Sequence, residues 1–164
     1  MAAEAARHAS PPHAGDGSAD FEPAPPRTRM AIAVLSLLGV FVALYLSLYK
    51  WGVMGAVQCS IGGCETVQNS PWSMFLGQPV AVWGLGAYLA LLALAIVGLQ
   101  PRFVEARWVA LAIFGISAVG VLFSAYLTYL EAAVIHAWCR WCVASAVLIT
   151  LIFLLTIPGL RRAR

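Results

Sequence analysis

Four long apolar runs divide the chain. Met30 to Tyr49 contains no charged residue. At ~1.5 Å of helical rise per residue it reaches about 30 Å, the thickness of one bilayer core. Val80 to Leu99 is a second such run, Trp108 to Leu130 a third, and about Cys142 to Leu160 a fourth. The first is longer than the apolar stretch of a secretory signal. Cys59 follows Gln58, where a lipoprotein cleavage site wants a small residue. The run therefore reads as an uncleaved span, with Lys50-Trp51 as its interface anchor. Gly84 and Gly86, then Gly115, Ser117, Gly120 and Ser124, are spaced to let helices approach closely.

The segments between the runs are short. Gly52 to Pro79 reads as a glycine-containing loop carrying Cys59 and Cys64. Within it, Ser70-Pro71 has the form of a helix cap followed by proline at the first helical position. A short interfacial helix from Pro71 to Leu76 is predicted there, ended by Gly77-Gln78-Pro79. Glu131 to Ala137 joins the third run to a cysteine motif. Residues 1–29 are rich in Ala, Pro, Gly and His, and cannot bury a core. The expected organisation is a disordered cytoplasmic tail over 1–29, a four-helix membrane domain over 30–160, and a basic cytoplasmic end at 161–164. The fold class is all-α: a polytopic four-helix bundle with a cysteine-containing outer loop.

Composition agrees with a membrane chain. Hydrophobic residues make up 62% of the sequence and charged residues 10%, against about 25% charged in soluble domains. The net charge is +3, but no basic helix with interleaved aromatics points to nucleic acid. Neither a glycine-rich phosphate loop nor a metalloprotease pattern is present. The positive residues flank the spans unevenly. Arg27, Arg29, Arg102, Arg107, Arg161, Arg162 and Arg164 fall on one side, and only Lys50 and Arg140 on the other. Positive residues stay cytoplasmic. Both termini are thus expected inside a plasma (inner) membrane, with all four cysteines on the extracytoplasmic side, where disulfides persist.

The chemistry centres on Trp138-Cys139-Arg140-Trp141-Cys142, directly before the fourth run. In a helix, the first turn carries unpaired N–H groups and partial positive charge. A thiolate placed there is stabilised and reacts faster near neutrality. Arg140, between the two cysteines, is expected to add to the effect. Cys59-x4-Cys64 on a loop and Cys139-x2-Cys142 at a helix end form two pairs on one face of the bundle, between which electrons can pass by thiol–disulfide exchange. Three readings stay open on these residues: a redox relay, a four-cysteine metal-binding module, and a structural bundle with static disulfides. A lipid-soluble quinone, ubiquinone or menaquinone, is the acceptor that suits the relay. His136 and Glu131 read first as an interfacial loop histidine and an outer helix-end carboxylate, and second as proton donors. His8 and His13 read as solvated tail histidines. Trp51, Trp108 and Trp138 read as interface anchors.

The sequence resembles bacterial members of the vitamin K epoxide reductase family. The resemblance rests on Cys59 and Cys64, Ser70-Pro71-Trp72, Gly77 to Gly84, Tyr126 to Leu130, and Trp138 to Val143. It implies a four-helix bundle around a quinone site near the outer surface, capped by the loop. It implies that Cys142 faces the quinone, that Cys139 exchanges with Cys59, that Cys64 meets a partner, and that Ser70 lies near the quinone. Two positions depart from relatives. Arg140 stands where many bacterial members have proline, and Ala146 where the vertebrate branch has a tyrosine. The second departure favours quinone reduction over epoxide reduction. Many relatives carry a fused thioredoxin-like domain. This chain stops at Arg164, so a separate DsbA-like thioredoxin-fold protein is the expected partner.

Overall fold

The computed structural model describes residues 26–55, 59, 63–103 and 106–161. Of the expected tail over residues 1–29, residues 1–25 lie outside the described residues, as do Arg162 and Arg164, while 26–29 are helical. Four helices are long and apolar enough to cross a membrane. They are α1 (Pro26–Lys50), α3 (Val80–Leu99), α4 (Arg107–Leu130) and α5 (Arg140–Arg161). A shorter helix, α2 (Cys64–Asn69), lies between the first two. The chain is a multi-pass, all-α membrane protein.

The four long helices pack as a ring. Helix α1 lies against α3 and α5, and α4 lies against the same two. Cross-links between them show the up-and-down order. At one end, Arg29 Nη1 near the start of α1 donates to the Gly98 carbonyl near the end of α3, at 3.0 Å. Such a cation satisfies a carbonyl that the helix end leaves unpaired. Further along, Tyr88 of α3 donates to the Ser145 carbonyl of α5 at 2.8 Å. Phe114 of α4 stacks on Phe153 of α5 with ring centroids 5.4 Å apart. The core runs through Tyr88, Leu91, Val109, Ile113, Ile149 and Ile152. Apolar residues such as Phe41, Val119 and Leu122 point outward, as expected where the surroundings are lipid and not water.

Close helix approach occurs at Gly120, which the sequence suggests, and at Gly39, which it does not. A Cβ at Gly39 would run into the Tyr88 ring, and one at Gly120 would meet Ile149 Cγ1 at 2.7 Å. At Gly84, Gly86 and Gly115 an added Cβ meets nothing within 4 Å. Gly84 and Gly115 instead border an internal cavity.

The segment before α3 also differs from expectation. The helix predicted from Pro71 to Leu76 is a single 3-10 turn, Pro71–Ser73. It leads into a two-residue hairpin, β1 (Met74–Phe75) against β2 (Gln78–Pro79). Its turn residues, Leu76 and Gly77, have φ of 52° and 77°. Positive φ at both central positions fits the right-handed twist of a tight hairpin. Ser70 does not cap that turn through its side chain. Its hydroxyl donates backward to the Val67 carbonyl at 2.7 Å, closing the end of α2.

Candidate redox site

The site is assembled from three helix ends. Helix α5 begins at Arg140, so Cys139 immediately precedes it and Cys142 lies in its first turn. The Cys139 carbonyl accepts from Val143 N at 2.9 Å. Its sulfur accepts from the Cys142 backbone N–H at 3.4 Å. Cys139 Sγ thus occupies the place of a helix-capping oxygen, pairing one of the N–H groups the first turn leaves open. Cys139 is fully buried, Cys142 partly so, and both are free thiols.

The end of α4 supplies the second part. After Leu130 the helix widens into one π turn, Glu131–Ile135, and stops at His136 in the left-handed region with φ 53°. Such single π turns often mark functional positions. The Glu131 carbonyl then accepts from Ala137 N at 3.2 Å. The reversal carries the chain to Cys139, whose N–H donates to Glu131 Oε2 at 3.0 Å. Glu131 is buried, with only 3% of its surface exposed. It lies at a helix end, as the sequence suggests, but is buried against the cysteines. His136 is exposed and lies outside the cavity lining.

Helix α2 supplies the third part. Cys59 and Cys64 form a disulfide, with Cα atoms 6.3 Å apart. Cys64 is fully buried and packs with Val67 and Cys139. Cys59 and Cys142 pack on the same cluster, so the two cysteine pairs share one apolar nest. Tyr45 and Trp141 flank it, with ring centroids 5.0 Å apart. The approach depends on Gly63, where an added Cβ would come within 2.6 Å of Ala137 Cβ. One turn after Cys64, Gln68 Nε2 reaches Cys142 Sγ at 3.7 Å. Residues four apart share a helix face, so α2 brings the loop disulfide and this amide to the same place.

A cavity of about 510 Å³ opens beside the cysteines. Of the four cysteines, all described, only Cys142 lines it. Gln68, Ser70 and Glu131 border it, and Ala146 lies one turn along α5 from Cys142. The hairpin closes one side: Phe75 packs edge-on against Trp83 and Phe123, with centroids 6.2 and 5.7 Å away. Trp83 Nε1 donates to the Phe75 carbonyl at 3.1 Å. A mostly apolar cleft of this volume with few polar groups is the usual form of a small-molecule site.

The electrostatics single out Cys139. Its pKa is held below the ordinary thiol value, chiefly by the hydrogen bond with the Cys142 side chain. Burial opposes this, the Cys142 backbone N–H reinforces it, Glu131 opposes it and Gln68 supports it. Arg140, expected to contribute, is exposed and is not among these groups. Exchange requires a thiolate, and Cys139 is the thiol best placed to supply one.

Because Cys59 and Cys64 are bonded to each other, the four sulfurs do not form a thiolate cage in this state. Glu131, Cys139 and Cys142 do bring three potential ligand atoms within 4.8 Å of one another. Sequence reasoning passed over Gln68 and undervalued Glu131. Glu131 carried a signal, as the sole acidic residue from Arg107 to the C-terminal arginine, since a carboxylate in a membrane helix is costly and usually functional.

Fold and site together define a membrane-embedded thiol–disulfide protein built on four helices, with a disulfide and a dithiol meeting at one end. Residues 30–157 match the vitamin K epoxide reductase family. The chain belongs to that family and is a membrane thiol oxidoreductase.

Proposed function

We propose that this oxidoreductase takes electrons from an extracytoplasmic, DsbA-like thioredoxin-fold protein and passes them to a membrane quinone, supporting disulfide bond formation. The observation that carries this is the split of the cysteines. The loop pair and the helix pair share one nest, yet only Cys142 opens into the apolar cavity. Such a split suits a relay with a protein at one end and a lipid-soluble acceptor at the other. It also favours a relay over two static bridges, since Cys139 and Cys142 are free while Cys59 and Cys64 are joined.

In this reading Cys64, buried while the loop disulfide is closed, meets the partner when the loop helix lifts from the nest, and Cys59 passes the electrons to Cys139. Each transfer runs through a mixed disulfide that a second thiol resolves. Cys142 then faces the cavity, whose apolar lining fits a quinone ring and tail. Ser70, at the cavity edge with its hydroxyl engaged by Val67, helps shape that wall. A bound quinone would supply a two-electron, two-proton acceptor. The protein's own part is to favour the Cys139 thiolate, keep water from the nest and place Cys142 at the cavity wall.

Topology follows the charges. Arg29, Arg102 and Arg107 mark the bundle end opposite the cysteines, where Arg29 bonds to Gly98. We place that end, the tail and the basic C-terminus in the cytoplasm of a plasma (inner) membrane, following the charge bias, and the cysteines outside. Helix α1 already starts at Pro26, so the tail ends a few residues before Met30.

The test mixes purified protein with a reduced thioredoxin-fold protein and a quinone, and follows quinone absorbance. Quinone reduction that requires all four cysteines supports the reading. Thiol oxidation without quinone reduction would remove the quinone from it.

A further inference from the structure

Among the described residues, Glu131 is a buried titratable group beside the cysteines to which the relay assigns no task; Tyr88, also buried on the cavity wall, is bonded to Ser145. Its Oε2 accepts the Cys139 N–H at 3.0 Å. Its carboxylate oxygen, Cys139 Sγ and Cys142 Sγ all lie within 4.8 Å of one another. It borders the same cavity as Cys142. The π turn at the end of α4 is what delivers it there. Around it, α5 presents Cys139 and Cys142, α2 presents the uncharged Gln68, and Tyr45 and Tyr49 of α1 lie against the cysteine nest. Cys64 is tied up in its disulfide. The nearest basic residues along the chain, His136 and Arg140, are exposed, as is the acidic Glu65.

A dithiol that reduces a two-electron, two-proton acceptor must deliver two protons. Cys142 carries one as a thiol. If Cys139 is a thiolate, the second must wait on another group within reach. We propose that Glu131 is that group: it holds the proton given up by Cys139 and releases it toward the cavity when the disulfide closes. The proposal rests on the quinone reading above. The balance closes as follows. Before the step, Cys139 is a thiolate, Cys142 a thiol and Glu131 a carboxylic acid. The S–S bond forms between Cys139 and Cys142, and the S–H bond of Cys142 and the O–H bond of Glu131 break. Two electrons and two protons pass to the acceptor, which leaves as a hydroquinone, and Glu131 remains a carboxylate. When the loop pair next reduces Cys139–Cys142, Glu131 regains a proton from the incoming thiols.

The count of protons can be read without any quinone. The Cys139–Cys142 couple is titrated in the full-length protein against a thiol–disulfide buffer at a series of pH values near neutrality, with the closed fraction measured by mass spectrometry. The wild-type couple should take up two protons per two electrons. Glu131→Gln can still accept the Cys139 N–H but cannot carry a proton, and should take up one. Glu131→Asp keeps a carboxyl and should return the count to two, which a merely structural role would not require. A count of two in Glu131→Gln overturns the proposal, and so does a count of one in the wild type. In parallel, the reduced protein is mixed with quinone. Wild-type reduction with a slowing of about 100-fold in Glu131→Gln, the size of a lost general acid, supports it. Equal rates in the two proteins overturn the assignment to Glu131 alone. A wild-type protein that reduces no quinone overturns the quinone reading, and this proposal with it.

Discussion

Gln68 on the loop helix reaches Cys142 on the fourth membrane helix, with Nε2 and Sγ 3.7 Å apart. Chain positions 74 residues apart are thereby joined across the site. The amide donates to the sulfur that lines the cavity, while Cys64, one turn earlier, holds the loop disulfide. The state of the loop helix and the environment of Cys142 are therefore linked.

Removing that donor should slow the cavity-side step. A hydrogen bond to a neutral group contributes about 0.5–1.5 kcal/mol. Gln68→Leu should accordingly slow acceptor reduction by about two- to tenfold. Single-turnover reduction of quinone by pre-reduced protein checks it. An unchanged rate would mean that the amide only packs.

The Cys139 thiol should titrate below an ordinary thiol because Cys142 donates to its sulfur. The stability this ionisation gives the folded state is full above the unfolded thiol pKa. It is lost as pH falls through the lowered folded value. Alkylation of Cys139 by a small reagent, followed by mass spectrometry from acid to alkaline pH, should show a midpoint below ~8.5. Cys142→Ala removes the leading cause and should move the midpoint up. Arg140→Gln should leave it in place, since Arg140 is exposed.

The sequence exposed the four spans because each is a long run without interior charge, and only their ends were displaced. Helix α1 starts at Pro26, not Met30, and α5 at Arg140, not Cys142. Apolar runs report where lipid lies, whereas polar first turns still belong to the helix. Helix α2 was hidden because Cys-Glu-Thr-Val-Gln-Asn is too short and polar to show an apolar period. The hairpin at Met74–Pro79 was hidden behind Ser70-Pro71, a legitimate helix-start signal that here opens only one 3-10 turn. The C-x-x-C at a helix start was readable. The burial of Glu131 was not, since it depends on a π turn that no local pattern announces.

Gly63 should matter more for the transfer between pairs than for the cavity. Gly63→Ala would press a methyl to within 2.6 Å of Ala137 Cβ. Such overpacking costs about 1–3 kcal/mol, so the loop helix should sit away from Cys139. Exchange from the loop dithiol to the Cys139–Cys142 disulfide should slow about tenfold. Quinone reduction by protein whose Cys139 and Cys142 are already reduced should slow less, by no more than the loss of the Gln68 amide slows it. Stopped alkylation at successive times separates the two steps. Equal slowing of both would show a general loss of structure.

The relay predicts one covalent species that no static bundle forms. Cys64→Ala removes the thiol that resolves the link between loop and helix. Once quinone has closed the Cys139–Cys142 disulfide, the Cys59 thiolate attacks it and releases the Cys142 thiol, so a Cys59–Cys139 disulfide should accumulate and partner oxidation should stop. Peptide mass spectrometry under non-reducing conditions reads the linkage directly. A Cys59–Cys139 peptide is the predicted result. Cys59 found free, or joined to Cys142 in place of Cys139, would contradict the assigned path of electrons.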